Sequence, residues 1–277
     1  MTRRFAKYEG LGNDFVVIDA RHQPYAPDEA EVRALSDRKT GVGCDQFIVV
    51  EPAQDPRAAA FMRIRNADGS EVSACGNASR CVGWLLLEET GGERIVFETA
   101  AGLLEASRAA DGLITVDMGP ANLEWAAIPL AQPLDTLHLP IEQGGVSDPV
   151  AVNMGNPHCV FFVPDAEAVA VAEIGPGLEH HPLFPERTNV EFASVENAGR
   201  IRMRVWERGT GITRACGTGA CATLVAVARR GLTGRTADVV LDGGTLTITW
   251  REDGHVLMTG PVAVSFTGRL APELVSA

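Results

Sequence analysis

A chain of 277 residues, 45% of them hydrophobic and 22% charged, has the proportions of a soluble globular protein of one large or two medium domains. With 24 Lys and Arg against 36 Asp and Glu, its net charge of -12 disfavours phosphate backbones and anionic membrane surfaces as partners. Only two of the basic residues are lysines, Lys7 and Lys39, and neither sits in a motif, so a Schiff-base cofactor has no place. No stretch reaches the ~20 apolar residues of a membrane span, and the first ten residues lack the apolar core of a secretion signal. Six cysteines without C-x2-C spacing read as reduced thiols of a cytoplasmic protein, not as a disulfide scaffold or zinc site.

In chain order, runs of β-branched and aromatic residues predict the strands. Gly12-Asn13 precedes Phe15-Val-Val-Ile18, then come Asp45-Gln46-Phe47-Ile-Val-Val50 and Met62-Arg-Ile-Arg-Asn66, leading to Ala74-Cys75-Gly76. Beyond that thiol, Val82-Gly-Trp-Leu-Leu-Leu87 predicts an apolar helix stopped by Gly91-Gly92. Strands Arg94-Ile-Val-Phe-Glu98 and Leu113-Ile-Thr-Val-Asp117 follow, the second entered through the turn Asp111-Gly112. Met118-Gly-Pro120 punctuates a domain boundary.

The second half repeats the first. Gly155-Asn156 precedes Cys159-Val-Phe-Phe-Val163, Asn189-Val-Glu-Phe192 takes the place of the second strand, and Met203-Arg204 leads to Ala215-Cys216-Gly217. The methionines and the Ala-Cys-Gly triplets recur at a constant spacing of 141 residues, as between positions 75 and 216. A second helix, Thr223-Leu-Val-Ala-Val-Ala-Arg-Arg230, ends at Gly231, and the hairpin strands Ala237–Leu241 and Thr245–Trp250 turn at Asp242-Gly-Gly244 and Asp253-Gly254. The expected fold is α/β (α+β): two pseudo-symmetric domains from an internal duplication, each a curved, mostly antiparallel sheet wrapped around an apolar helix. The expected limits are 1–118 for the half carrying Cys75, with 263–277 returning to it, and 119–262 for the half carrying Cys216.

Ala-Cys-Gly places each thiol at a helix N-terminus, where unpaired N–H groups and the helix dipole favour thiolate. The backbone at Gly76, Asn77, Gly217 and Thr218 offers donors for a carboxylate. Two such thiols suit inversion of a stereocentre, which needs a base on one face of a carbon and an acid on the other. Nucleophilic hydrolysis has no use for a symmetric second thiol. Cys81 and Cys221, further along their helices, read as core; Cys44 and Cys159, at strand edges, carry no catalytic role.

Gly10-Leu-Gly-Asn-Asp-Phe15, Gly41-Val-Gly-Cys-Asp-Gln46, Ser73-Ala-Cys-Gly-Asn-Ala-Ser-Arg-Cys81, Asn153-Met-Gly-Asn-Pro-His158, Arg187-Thr-Asn-Val-Glu-Phe192 and Trp206-Glu-Arg-Gly-Thr-Gly211 with Ala215-Cys-Gly-Thr-Gly-Ala220 closely resemble the diaminopimelate epimerases. The resemblance runs in order over nearly the whole chain. It implies a cofactor-independent, metal-free isomerase that interconverts LL- and meso-diaminopimelate in lysine and peptidoglycan biosynthesis. It implies Cys75 and Cys216 as the acid–base pair and His158 and Glu207 as residues tuning the thiols. Substrate would be held by Asn13, Gln46, Asn66, Gly76, Asn77, Asn156, Asn189, Glu207, Arg208, Gly217 and Thr218. It implies a homodimer with no nucleic-acid or membrane partner, although Phe266 stands where the family often carries a tyrosine in its dimer packing.

Four other readings compete. Gly217-Thr-Gly-Ala-Cys-Ala222 fits a dinucleotide fingerprint in form, but it follows a polar, turn-rich segment instead of a strand. Glu179-His180-His181 lacks metal-site spacing and reads as a capped, solvated loop. A proline- or hydroxyproline-type racemase of the same fold, or a binding protein that holds an amino acid without turning it over, completes the set.

Overall fold

The computed structural model describes residues 3–73 and 75–271. The chain forms two compact units, whose described parts lie within Met1–Val116 plus Gly260–Ala277 and within Asp117–Thr259.

The first unit opens with β1 (Arg4–Gly10) and β2 (Asn13–Asp19), a hairpin whose two turn residues, Leu11 and Gly12, both have positive φ, as a tight twisted hairpin requires. Helix α1 (Glu29–Ser36) starts where the Asp28 side chain accepts from the Glu31 N–H. It leads to β3 (Gln46–Glu51), parallel to β2 with Phe15 opposite Gln46. Strand β4 (Phe61–Asn66) returns antiparallel, and the two-residue β5 (Glu71–Val72) folds back on it. Helix α2 (Gly76–Thr90) follows and stops at Gly91, at φ +64°. Strand β6 (Arg94–Thr99) is parallel to β4, β7 (Gly102–Arg108) is antiparallel to β6, and β8 (Ile114–Pro120) spans the junction with the second unit's sequence.

The second unit begins with the small hairpin β9 (Glu142–Gln143) and β10 (Val146–Ser147), then β11 (Val150–Asn153) antiparallel to β12 (Pro157–Phe162). After α3 (Val171–Glu179), β13 (Asn189–Asn197) runs parallel to β12, with His158 opposite Asn189. Strands β14 (Arg200–Glu207) and β15 (Gly211–Ile212) return, α4 (Gly217–Arg229) follows, and β16 (Thr236–Leu241) is parallel to β14. Strands β17 (Gly244–Trp250) and β18 (His255–Gly260) complete a meander. Strand β19 (Ala263–Arg269) belongs to the first unit, where it pairs antiparallel with β1.

The succession β1-β2-α1-β3-β4-β5-α2-β6-β7 thus recurs as β11-β12-α3-β13-β14-β15-α4-β16-β17, with parallel steps at the same two places in each copy. That topology explains the continuous apolar runs. A strand such as Phe47–Val50, covered on both faces, cannot alternate. Helix α4 is buried almost all round, from Gly219 to Val227, against β11 to β14, β16 and β17. It is the core of its unit, as a helix without a polar face must be. Helix α2 packs on β1, β6 and β7. Its Gly83 lies where a Cβ would come within 2.5 Å of the Ala106 Cβ, so only glycine permits that approach.

Two local expectations are corrected. Cys159 is not at a strand edge but inside β12, between β11 and β13 and fully buried. Glu179 is no solvated loop residue. It ends α3, is buried, and accepts from the Trp206 indole N–H at 2.7 Å and from the Gly209 N–H at 2.9 Å. Those two bonds hold the turn that carries Glu207 and Arg208.

Candidate active site

Both thiols sit at helix starts, as extended N-cap residues: Cys75 at φ −150°, ψ 113° and Cys216 at φ −120°, ψ 107°. Gly76 and Gly217 open the helices, which keeps the first N–H groups clear of side chains. The thiols differ in setting. Cys75 is half-buried and its side chain caps no N–H, whereas Cys216 is buried and its sulfur accepts from the Gly219 N–H at 3.3 Å, with the Thr218 hydroxyl 3.6 Å away. Asn77 is buried in the first turn of α2, and its Oδ1 has no hydrogen-bond partner among the described residues.

The expectation that a helix start lowers the thiol pKa fails at Cys216. Burial pushes this thiol well above its ordinary 9.0, and the carboxyls of Glu207 and Glu191 push the same way, against weaker help from Thr218 and Gly219. Desolvation of a charge outweighs a few peptide dipoles. Glu207, at the end of β14, is itself pushed up by burial, while hydrogen bonds from the Thr213 hydroxyl and from Cys216 pull it down. A thiol and a carboxyl in mutual contact, each reluctant to ionise, form a site that favours the protonated state.

The polar residues expected around the substrate gather near the same strand ends in each unit. In the first, the Asn13 amide donates to Asp45 at 2.9 Å, and the Gln46 amide donates to the Asn66 side chain at 3.2 Å across the β3–β4 pair. In the second, Asn189 donates to the Pro157 carbonyl and accepts from the Arg208 N–H, both at 2.9 Å, clamping the start of β12 to the Glu207-Arg208 turn. The Arg208 guanidinium is exposed and donates to the Glu186 carbonyl at 3.1 Å. His158 is fully buried, with Nδ1 2.7 Å from Glu191 and Nε2 2.9 Å from the Asn156 side-chain oxygen.

Sequence reasoning missed Glu191. It stands two residues beyond Asn189 on the same face of β13, a fully buried carboxylate between the apolar Val190 and Phe192, and that setting was its signal. Gly219 was missed with it. A Cβ there would lie 2.8 Å from Glu191 Oε1 and 3.1 Å from the Cys216 sulfur.

Comparison with known proteins identifies the lineage. The model of the family described as diaminopimelate epimerase matches residues 5–124 and 150–265. The chain belongs to the diaminopimelate epimerase family. It is 60% identical to a diaminopimelate epimerase of Rhodospirillum centenum over 99% of this chain and 94% of that one. Against the diaminopimelate epimerase of Phenylobacterium zucineum the identity is 58%, covering 98% of each. Among solved structures, a phenazine biosynthesis protein of the PhzF family from Enterococcus faecalis shares the fold with TM-score 0.69 at 16% identity, over 98% of this chain and 100% of that one. A hydroxyproline epimerase from Agrobacterium vitis, solved with bound trans-4-hydroxy-L-proline, does so with TM-score 0.68 at 19% identity, over 98% and 93%. These two extend the α/β architecture beyond the family.

Proposed function

We propose that this protein interconverts LL- and meso-diaminopimelate by moving a proton at one α-carbon, with Cys75 and Cys216 as the acid–base pair. The observation that carries the reading is the second thiol: the duplicated unit repeats not only a fold but a cysteine at the same helix start. In each turnover one thiolate takes the α-hydrogen and becomes a thiol, and the other thiol returns a proton to the opposite face and becomes a thiolate. The exchanged pair is then set for the reverse direction. The N–H groups at Gly76 and Asn77 and at Gly217 and Thr218 hold the carboxylate beside the reacting carbon. Asn13, Gln46, Asn66, Asn156, Asn189 and Arg208 read the rest of a long diamino diacid, Arg208 through the distal carboxylate. The buried Asn77 Oδ1 and the Gln46 Oε1, both without partners among the described residues, supply acceptors for its ammonium groups. Every step uses the chain's own groups, and the reducing cytoplasm suits two working thiols.

Incubation with LL-diaminopimelate in deuterated water is expected to place deuterium at one α-carbon as the meso isomer forms, followed by mass spectrometry and chiral chromatography. Binding without exchange would reduce the protein to an amino-acid carrier, and exchange into proline in place of diaminopimelate would make it a proline-type racemase.

We also propose a homodimer. Strand β19 leaves five consecutive residues exposed, among them Val264 and Phe266 at 41% and 49%, with Phe266 set edge-on to Phe5. An aromatic face of this kind is disfavoured in water. Light scattering is expected to give twice the chain mass for the wild type and the single chain mass for Phe266→Glu. A monomeric wild type would refute it.

A further inference from the structure

The two units are copies, so positions that correspond between them reveal where the second departs from the packing that suffices for the first. Strand registers set the correspondence. Phe15 lies opposite Gln46 and Val17 opposite Ile48 in the β2–β3 pair; His158 lies opposite Asn189 and Val160 opposite Glu191 in the β12–β13 pair. His158 therefore takes the place of Phe15, and Glu191 the place of Ile48. Gly219, third residue of α4, takes the place of Ala78, third residue of α2. Phe15, Ile48, Ala78, His158 and Glu191 are fully buried, and Gly219 is buried as well. One unit fills this spot with an aromatic ring, a branched aliphatic and a methyl group. The other fills it with an imidazole, a carboxylate and the gap a missing methyl leaves.

All three exchanges run against stability. A buried polar pair gains nothing over well-packed apolar residues of similar volume, and glycine in place of alanine weakens a helix. The first unit shows that the fold has no need of the polar set. The exchanges also fit one another. Glu191 Oε1 meets His158 Nδ1 at 2.7 Å, in the space a Cβ at residue 219 would occupy. The Cys216 sulfur borders the same space. Nδ1 faces the carboxylate and Nε2 faces the Asn156 side-chain oxygen, so both ring nitrogens are held by acceptors and the ring is fixed in orientation. The second oxygen of Glu191 is buried without a partner among the described residues.

We propose that Glu191 is a positioning residue that fixes the ring and protonation of His158 beside the Cys216 helix start, and that Gly219 is the opening that admits it. The consequence for turnover rests on the proton-transfer reading above; the geometry does not. The other ionisable groups facing the pair are Glu207 from β14, Cys216 at the start of α4 and Cys159 on β12, the last two of which burial keeps as thiols.

The test uses the full chain labelled with nitrogen-15 histidine, as wild type, Glu191→Gln, Glu191→Ile, and the triple exchange His158→Phe, Glu191→Ile, Gly219→Ala. In the wild type the His158 Nδ1 resonance at neutral pH is expected to be that of a protonated, hydrogen-bonded nitrogen. Glu191→Ile loses that signature and lowers kcat at least about tenfold with KM little changed, while Glu191→Gln, which can still accept from Nδ1, recovers part of both. The triple variant recreates the first unit's packing, so it folds with a melting temperature no lower than wild type and turns nothing over. A wild-type kcat or an unchanged His158 resonance in Glu191→Ile would overturn the proposal. So would collapse of the triple variant, because the polar set would then be structural. If Glu191→Ile alone fails to fold, the other two variants decide. Wild-type protein without α-carbon exchange would sink the proposed function and leave the nitrogen-15 result to judge the pair.

Discussion

Cys75→Ala and Cys216→Ala are each expected to lower epimerisation by about a thousandfold or more, since in the proposed mechanism each removes the group serving one face of the carbon. The two variants should differ in stability. Cys75 caps no N–H through its side chain, so alanine there costs α2 no cap. Cys216 accepts from the Gly219 N–H, and its removal deprives α4 of a cap, a loss of about 1 kcal/mol. Turnover per folded molecule, with the folded fraction taken from circular dichroism, is the measurement. Wild-type turnover in either variant removes that cysteine from the chemistry. Cys81→Ala is the control. Its thiol is fully buried and pushed up to about 12, far from any proton-transfer role, so that variant loses about 1–2 kcal/mol of stability and keeps its activity.

The duplication could be read from the chain because its anchors are chemical: Met, Ala-Cys-Gly and the glycine stops recur at fixed spacing. The polar partners repeat with it, so that Asn13 answers Asn156 and Gln46 answers Asn189. What escaped was everything that depends on register. Between β3 and β13 the spacing is 143 residues, as from Gln46 to Asn189, while the methionines and cysteines are 141 apart. The loop after β3 is longer than the loop after β13, and an ungapped alignment hides that Ile48 answers Glu191. The local sequence also mistook the sign of the Cys216 shift. A helix start is a local feature, but the burial that opposes it comes from a helix enclosed by six strands, which only the fold supplies. Glu179 was lost for the same reason: its partners, Trp206 and Gly209, lie some thirty residues on.

Glu207→Gln is expected to lower kcat by about a hundredfold while making the protein more stable at neutral pH. The carboxyl of Glu207 is raised from its ordinary 4.5, mainly by burial. A folded state that raises a carboxyl favours its neutral form, so the stability this group contributes is complete below 4.5 and declines as pH climbs from there through the folded value. Glutamine keeps the shape, can still accept from the Thr213 hydroxyl, and never ionises. The difference in melting temperature between variant and wild type should therefore move in the variant's favour as pH increases from 4 toward neutrality. The same substitution removes one of the two carboxyl charges that raise Cys216, so its thiolate absorbance should appear at lower pH in the variant. On the proposed mechanism turnover still falls, because the amide no longer tunes the Cys216 thiol as the carboxyl does. Melting curves and thiolate absorbance across a pH series measure both effects. The opposite trend, with wild type gaining on the variant as pH increases, would mean that Glu207 ionises more readily in the folded protein than in the unfolded chain. The Thr213 and Cys216 hydrogen bonds and the neighbouring His158, which pull Glu207 down, would then outweigh its burial, and the proton-holding pair assigned to this helix start would be wrong.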